Sequence, residues 1–114
     1  MTNDEIRMKI AELKGWEFVP KTNIGQWGWK HNGKFIDYEI DAPNWPENIA
    51  DAWELVEEWR ANGEVDSIVY KTSDIPDFKM VDTVHLRHSY IYSEADTAPL
   101  AICLAYIAWK ESQK

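Results

Sequence analysis

Basic residues are scarce in this sequence and never run together. Twelve Lys and Arg stand against 20 Asp and Glu, a formal net charge of −8. Phosphate contacts need clustered cations, so direct binding to nucleic acid is excluded. Cysteine is nearly absent: Cys103 alone rules out an internal disulfide and is compatible with a reducing compartment. The five glycines are isolated. Gly25 and Gly28 flank tryptophan in Gly-Gln-Trp-Gly-Trp, which is no phosphate-binding loop. Long apolar runs are missing too. The longest spans about ten residues, well short of the roughly 20 needed to cross a bilayer. The acidic start, Met1-Thr-Asn-Asp-Glu5, leads into no apolar core and is no secretion signal. These absences point to a cytoplasmic protein with no membrane association. Repeats and low-complexity tracts are also lacking.

What is present is an ordinary globular balance, with 45% hydrophobic and 28% charged residues over 114 positions. That length fits one domain, residues 1–114, with a single layered core. Seven tryptophans are many for so short a chain. Those that remain at a surface mark interfaces or ligand shelves. The acidic excess reads either as solubility or as a surface aimed at a basic partner.

Local signals set out the elements. Thr2 and Glu5 have capping-box spacing, and Ile6, Ile10 and Leu13 share a helical face, which predicts a helix over 3–14 stopped by Gly15. Residues 16–19 read as a short strand and 21–24 as loop. Asn32-Gly33 between 26–31 and 34–38 predicts a hairpin, with Trp27, Trp29 and His31 on one strand face. A loop over 41–46 precedes a helix expected from Pro46 to Ala61. Its buried stripe is Ile49, Ala52, Trp53, Val56 and Trp59 or Arg60; Asp51, Glu54, Glu57 and Glu58 cover the rest, and Asn62-Gly63 stops it.

Residues 65–71 read as a strand and 72–77 as a loop. Residues 78–92 hold one long strand or two broken near Asp82, with Val84, Leu86, His88, Tyr90 and Tyr92 on one face. Thr83, His85, Arg87 and Ser89 share the other, more polar face. Residues 93–99 lead into the last helix, capped by Asp96 or Thr97 with Pro99 in its first turn. Leu100 to Trp109 is apolar nearly all round, the mark of a deeply buried helix, and 110–114 should fray.

Catalytic patterns fail one by one. His85 and His88 fall on opposite faces of a strand, His31 lies elsewhere, and no cysteine pair supports a metal. Cys103 between Ile102 and Leu104 reads as a buried thiol, not a nucleophile for His85 or His88. Asp96 reads as a helix cap, and neither it nor Glu94 has a nameable partner in a cleft. Two binding surfaces stay in view. Trp27, Trp29 and Trp45 with His85 and Arg87 would suit a small planar anion such as a nucleotide. The acidic helix face of Asp51, Glu54 and Glu58, with tryptophans nearby, would suit a basic protein. Self-association through an exposed edge strand is open as well.

Three segments carry a likeness to a known family. They are Leu13-Lys-Gly-Trp16, Trp45-Pro-Glu-Asn-Ile-Ala-Asp-Ala-Trp-Glu-Leu-Val-Glu-Glu-Trp59, and Glu94-Ala-Asp-Thr-Ala-Pro-Leu-Ala-Ile-Cys-Leu-Ala105. In order and spacing the chain resembles the phage ABA-sandwich domain family. It departs where Trp45-Pro46 replaces a Tyr-Ser-type helix lead-in, and where Leu104 replaces a common basic residue. The resemblance implies phage or prophage origin, hence the host bacterial cytoplasm, and an α-β-α sandwich with no established activity. The fold expected is α/β (α+β) in the order helix, strands, helix, strands, helix, with a mainly antiparallel sheet. The function expected is that of a non-enzymatic accessory protein that binds a host or phage protein and needs no cofactor. The alternative is a protein that binds or sequesters a small anionic ligand.

Overall fold

Thr2 begins the first helix as its sequence spacing requires. Its hydroxyl accepts from the Glu5 N–H while the Glu5 carboxylate accepts from the Thr2 N–H, both at 3.2 Å. In the computed structural model, which describes residues 1–20, 25–72 and 81–113, this helix is α1 (Asn3–Leu13). The strands β1 (Glu17–Val19), β2 (Gly28–His31) and β3 (Lys34–Asp37) follow. Next come α2 (Ile49–Ala61), β4 (Asp66–Thr72), β5 (Val81–Leu86), β6 (Ile91–Ala95) and α3 (Ala98–Ser112). The order is helix, strands, helix, strands, helix. Every described strand pairing is antiparallel, and the pairs form two three-stranded sheets, β1-β2-β3 and β4-β5-β6. The loop read at 21–24 and the 73–77 part of the loop read at 72–77 lie outside the described residues, as do 78–80 of the long strand reading.

Within the 1–114 span, contacts cluster into two compact units, Met1–Pro43 and Asn44–Lys114. The first is built on the hairpin. Asn32 (φ 55°) and Gly33 (φ 75°) supply the two positive φ angles of a type I′ turn, so β2 and β3 pair in tight register, Trp29 opposite Ile36. Gly28 has a different duty: a Cβ there would lie 1.9 Å from the Ile36 carbonyl oxygen, so only glycine lets the strands approach. Trp29, Tyr38 and Ala11 form a small buried cluster, with Trp16, Trp27 and Ala42 packed on it. Its rings meet edge-on or stacked; Trp27 lies over Tyr38 at 4.1 Å. Arg7 ties the cluster to the chain that follows. Its guanidinium sits 4.1 Å over the Tyr38 ring and donates to the carbonyls of Tyr38, Ala42 and Pro43 at 3.1, 3.1 and 3.2 Å. The Tyr38 hydroxyl donates to Asp4.

The second unit has a larger core. α3 is buried on most sides, through Ala101, Ile102, Cys103, Ala105, Tyr106 and Trp109, and packs on α2, β5 and β6. Val84 and Leu86 of β5 face it, and the Ser93 hydroxyl donates to the Ala101 carbonyl at 2.7 Å. Thr97 caps α3 by accepting from the Leu100 N–H, with Pro99 in the first turn.

Several expectations need correction. α2 starts at Ile49, not Pro46, because Asn48 is its cap, accepting from the Asp51 N–H at 3.0 Å. Pro46 lies in the turn before it, closed by the Asn48 N–H donating to the Asn44 carbonyl at 2.9 Å. The buried stripe is therefore Ala52, Leu55, Val56 and Trp59; Ile49 is 47% exposed, Trp53 is half-buried, and Arg60 is exposed over the Trp53 ring. From Val81 on, the strand reading over 78–92 runs through Asp82 and breaks at a turn over 87–90, and β6 runs on to Ala95. His88, Tyr90 and Tyr92 thus do not continue the buried face of Val84 and Leu86. At the end of the chain α3 extends to Ser112, past the point where fraying was expected.

Candidate interaction surface

The β5–β6 hairpin carries the surface, because α3 covers only one face of its sheet. Register sets His85 opposite both Ser67 and Tyr92, and Thr83 opposite both Val69 and Glu94. Cross-strand partners share a face, and this one points away from Val84 and Leu86. His85 and Glu94 are exposed, and Tyr92 is 60% exposed. The His85 and Tyr92 rings meet at 6.3 Å, near perpendicular, and the Tyr92 hydroxyl donates to Glu94 at 3.2 Å.

The turn over 87–90 closes the hairpin under unusual constraint. Glu64, just past α2, is only 8% exposed. One carboxylate oxygen accepts from the His88 and Ser89 N–H groups at 2.7 and 3.4 Å; the other accepts from the Ser89 hydroxyl at 2.8 Å. The Arg87 N–H donates to the Val65 carbonyl at 2.8 Å. So fixed, the turn holds Tyr90 at φ 55° with its side chain 90% exposed. Positive φ in a bulky residue is a true outlier.

The residues singled out from sequence do not gather in one place. Trp29 is 2% exposed and belongs to the first unit's aromatic cluster. Trp27 is half-buried against Tyr38. Trp45 is 1% exposed, a core residue of the second unit with no ring face left for a ligand. His85 and Arg87 are exposed, on β5 and in the turn after it. Of the acidic helix face, Glu54 is exposed. Asp51 accepts from the Asn44 N–H at 2.8 Å. Glu58 accepts from the Tyr106 hydroxyl at 2.7 Å and pairs with the Lys110 ammonium at 3.2 Å. Asp51 and Glu58 therefore serve the fold. Sequence reading did not single out Glu64, which fixes the hairpin turn, or Tyr90 and Tyr92, which are exposed at this hairpin end. The available signal was the polar run Arg87-His-Ser89, which reads as a turn once the alternation is not forced through it.

Other groups have settled surroundings. Cys103 is fully buried in α3, and burial pushes its thiol well above the usual range. Among the described residues no set of three His, Cys, Asp or Glu side chains could hold a metal ion, and no helix is long and apolar enough to cross a membrane. Open grooves mark the first unit. One of about 420 Å³ is lined by Met8, Trp16, Phe18 and Trp29 among others. Another, of about 490 Å³, is lined by Trp16, His31, Asn32 and Lys34 among others.

Three helices and two antiparallel sheets in this order, among the described residues, define an α+β protein of the sandwich class. The chain belongs to the phage ABA sandwich domain family, whose model matches residues 9–107. Among solved structures it is similar to a phage protein from Bacillus cereus ATCC 14579, crystallised and refined at 2.0 Å. Identity is 22%, the match covers 95% of this chain and 86% of that one, and the TM-score is 0.66. That likeness concerns the fold. No curated protein matches the sequence.

Proposed function

We propose that this chain is a non-enzymatic phage or prophage accessory protein that acts by binding a host or phage protein. The observation that carries the reading is the pair of tyrosines at the β5–β6 hairpin, Tyr90 at 90% and Tyr92 at 60% exposure, beside exposed His85 and Arg87. Tyr and Arg are the residue types over-represented where interfaces concentrate their binding energy. The family's phage origin makes a host or phage protein the natural partner class. The test is affinity capture at low salt from the cells that produce the protein. The wild type should retain a specific protein that His85→Glu/Tyr92→Glu releases. Recovery of the same background set by both would count against the reading.

A second reading, a small anionic ligand, is favoured by the groove in the first unit. Its lining offers the Trp16 ring to stack on and Lys34, His31 and Asn32 to pair with an anion, set against one carboxylate, Asp41. Its place differs from the shelf expected of Trp27, Trp29, Trp45, His85 and Arg87. A melting-temperature shift of several degrees with a nucleotide-like anion at about 100 times its Kd, lost in Lys34→Glu, would support it. No shift across a panel of nucleotides and other anionic metabolites would remove it.

A further inference from the structure

Resting on the protein-binding reading, we infer that the turn over 87–90 is a preorganised anchor. Tyr90 inserts into an apolar pocket of a partner protein, and Arg87 pairs with carboxylates at that pocket's rim. Three observations converge on this turn. First, its backbone is held from within. The buried Glu64 carboxylate accepts from the His88 N–H, the Ser89 N–H and the Ser89 hydroxyl, and Val65 accepts from the Arg87 N–H. A side chain carried on so fixed a turn loses little freedom on binding, which is how preorganised contacts gain affinity. Second, Tyr90 sits at φ 55°, a conformation that costs free energy for a bulky residue and that glycine would adopt without strain. Strain kept at a single exposed position, by surroundings that over-determine it, marks a site selected for something other than stability. Third, the side chain held there is the most exposed large apolar group described, at 90%.

The partner's chemistry follows from the neighbours. The second unit has thirteen acidic and six basic residues, yet the turn presents Arg87 and His88. A guanidinium beside an aromatic ring complements a pocket that is apolar at its base and carboxylate-bearing at its rim. The sequence offers no run of basic residues for a phosphate backbone, so the partner is a protein and not a nucleic acid.

The test uses the full chain in the cells that produce it, with p-benzoylphenylalanine placed at Tyr90, at Tyr92, or at Ile40, a control that is 77% exposed in the first unit. After irradiation, the probe at 90 should give one covalent adduct with a protein, at a site flanked by Asp or Glu, and the probe at 40 should give none. Adding Arg87→Glu should weaken that adduct at least about tenfold. Tyr90→Gly should leave the melting temperature unchanged or raised, yet cut affinity for the captured protein by about thirtyfold or more, the loss expected of a dominant interface aromatic. Several outcomes would overturn the inference: an adduct at 92 with silence at 90, equal adducts at 90 and 40, an adduct with nucleic acid, or full affinity in Tyr90→Gly. Adduct at 92 alone would leave protein binding standing without the anchor. Silence at every position would remove both.

Discussion

The two units of this chain solve the problem of small size differently. Met1–Pro43 contains seven acidic and six basic residues, so it is nearly neutral; Asn44–Lys114 contains thirteen and six and carries most of the negative charge. So short a segment as the first has little apolar surface to bury. It holds together through aromatic contacts and through Arg7, whose guanidinium spans three backbone carbonyls and one ring. The second unit instead buries a helix on most sides, and that closed core supports a turn held in a costly conformation. Where a core is complete, strain can be tolerated; where it is partial, polar anchors supply cohesion.

This contrast can be attacked from both sides. The largest effect should come from Trp59→Ala in the second unit. Trp59 is fully buried and its indole N–H donates to Asp66 at 2.9 Å. Truncation should cost about 3–5 kcal/mol, measured by urea denaturation. A loss below about 1 kcal/mol would mean that the core is looser than described. Next is Arg7→Ala. Orphaning three carbonyls and removing the stacked cation should cost about 2–3 kcal/mol. Amide exchange should quicken within Met1–Pro43 and not in α3. Uniform quickening would blur the distinction between the units.

A smaller effect appears on acidification. The Arg60 guanidinium, bonded to Asp66 at 2.7 and 2.9 Å, holds that carboxyl below its ordinary value of 3.8; burial opposes the shift and the Trp59 N–H adds to it. A folded value below the unfolded one stabilises above the unfolded pKa, and that stabilisation disappears as pH falls through the folded value. Wild type should therefore exceed Asp66→Asn by a constant margin from neutral pH down to about pH 5, and the margin should close below the ordinary value of 3.8. Denaturation midpoints across this range check it. A margin that widens on acidification would contradict the assignment.

Much of the fold was legible because its signals are local. The Thr2–Glu5 capping box, the Asn32-Gly33 turn, the Asn62-Gly63 stop and the all-round apolar face of α3 each act within a few residues, and each appears as read. The start of α2 was not legible, because Pro46 suits a first helical turn and a preceding tight turn equally well. The surface was harder still. The 87–90 turn contains no glycine or proline, so alternation read through it and placed Tyr90 and Tyr92 on one face with Val84 and Leu86. What fixes that turn is Glu64, 24 and 25 residues away from the groups it binds. No periodicity reports such a contact. Tryptophan count misled in the same way: composition does not say that Trp45 is core while Trp27 is half-buried.

The central claim is that recognition resides in the second unit, at the β5–β6 hairpin. Hydrogen exchange of the intact protein, alone and with the captured partner, tests it most directly. The account predicts slower exchange on complex formation in the peptides spanning 85–95, with those of 1–43 unchanged. Protection confined to Met1–Pro43, with the hairpin exchanging as before, would contradict it.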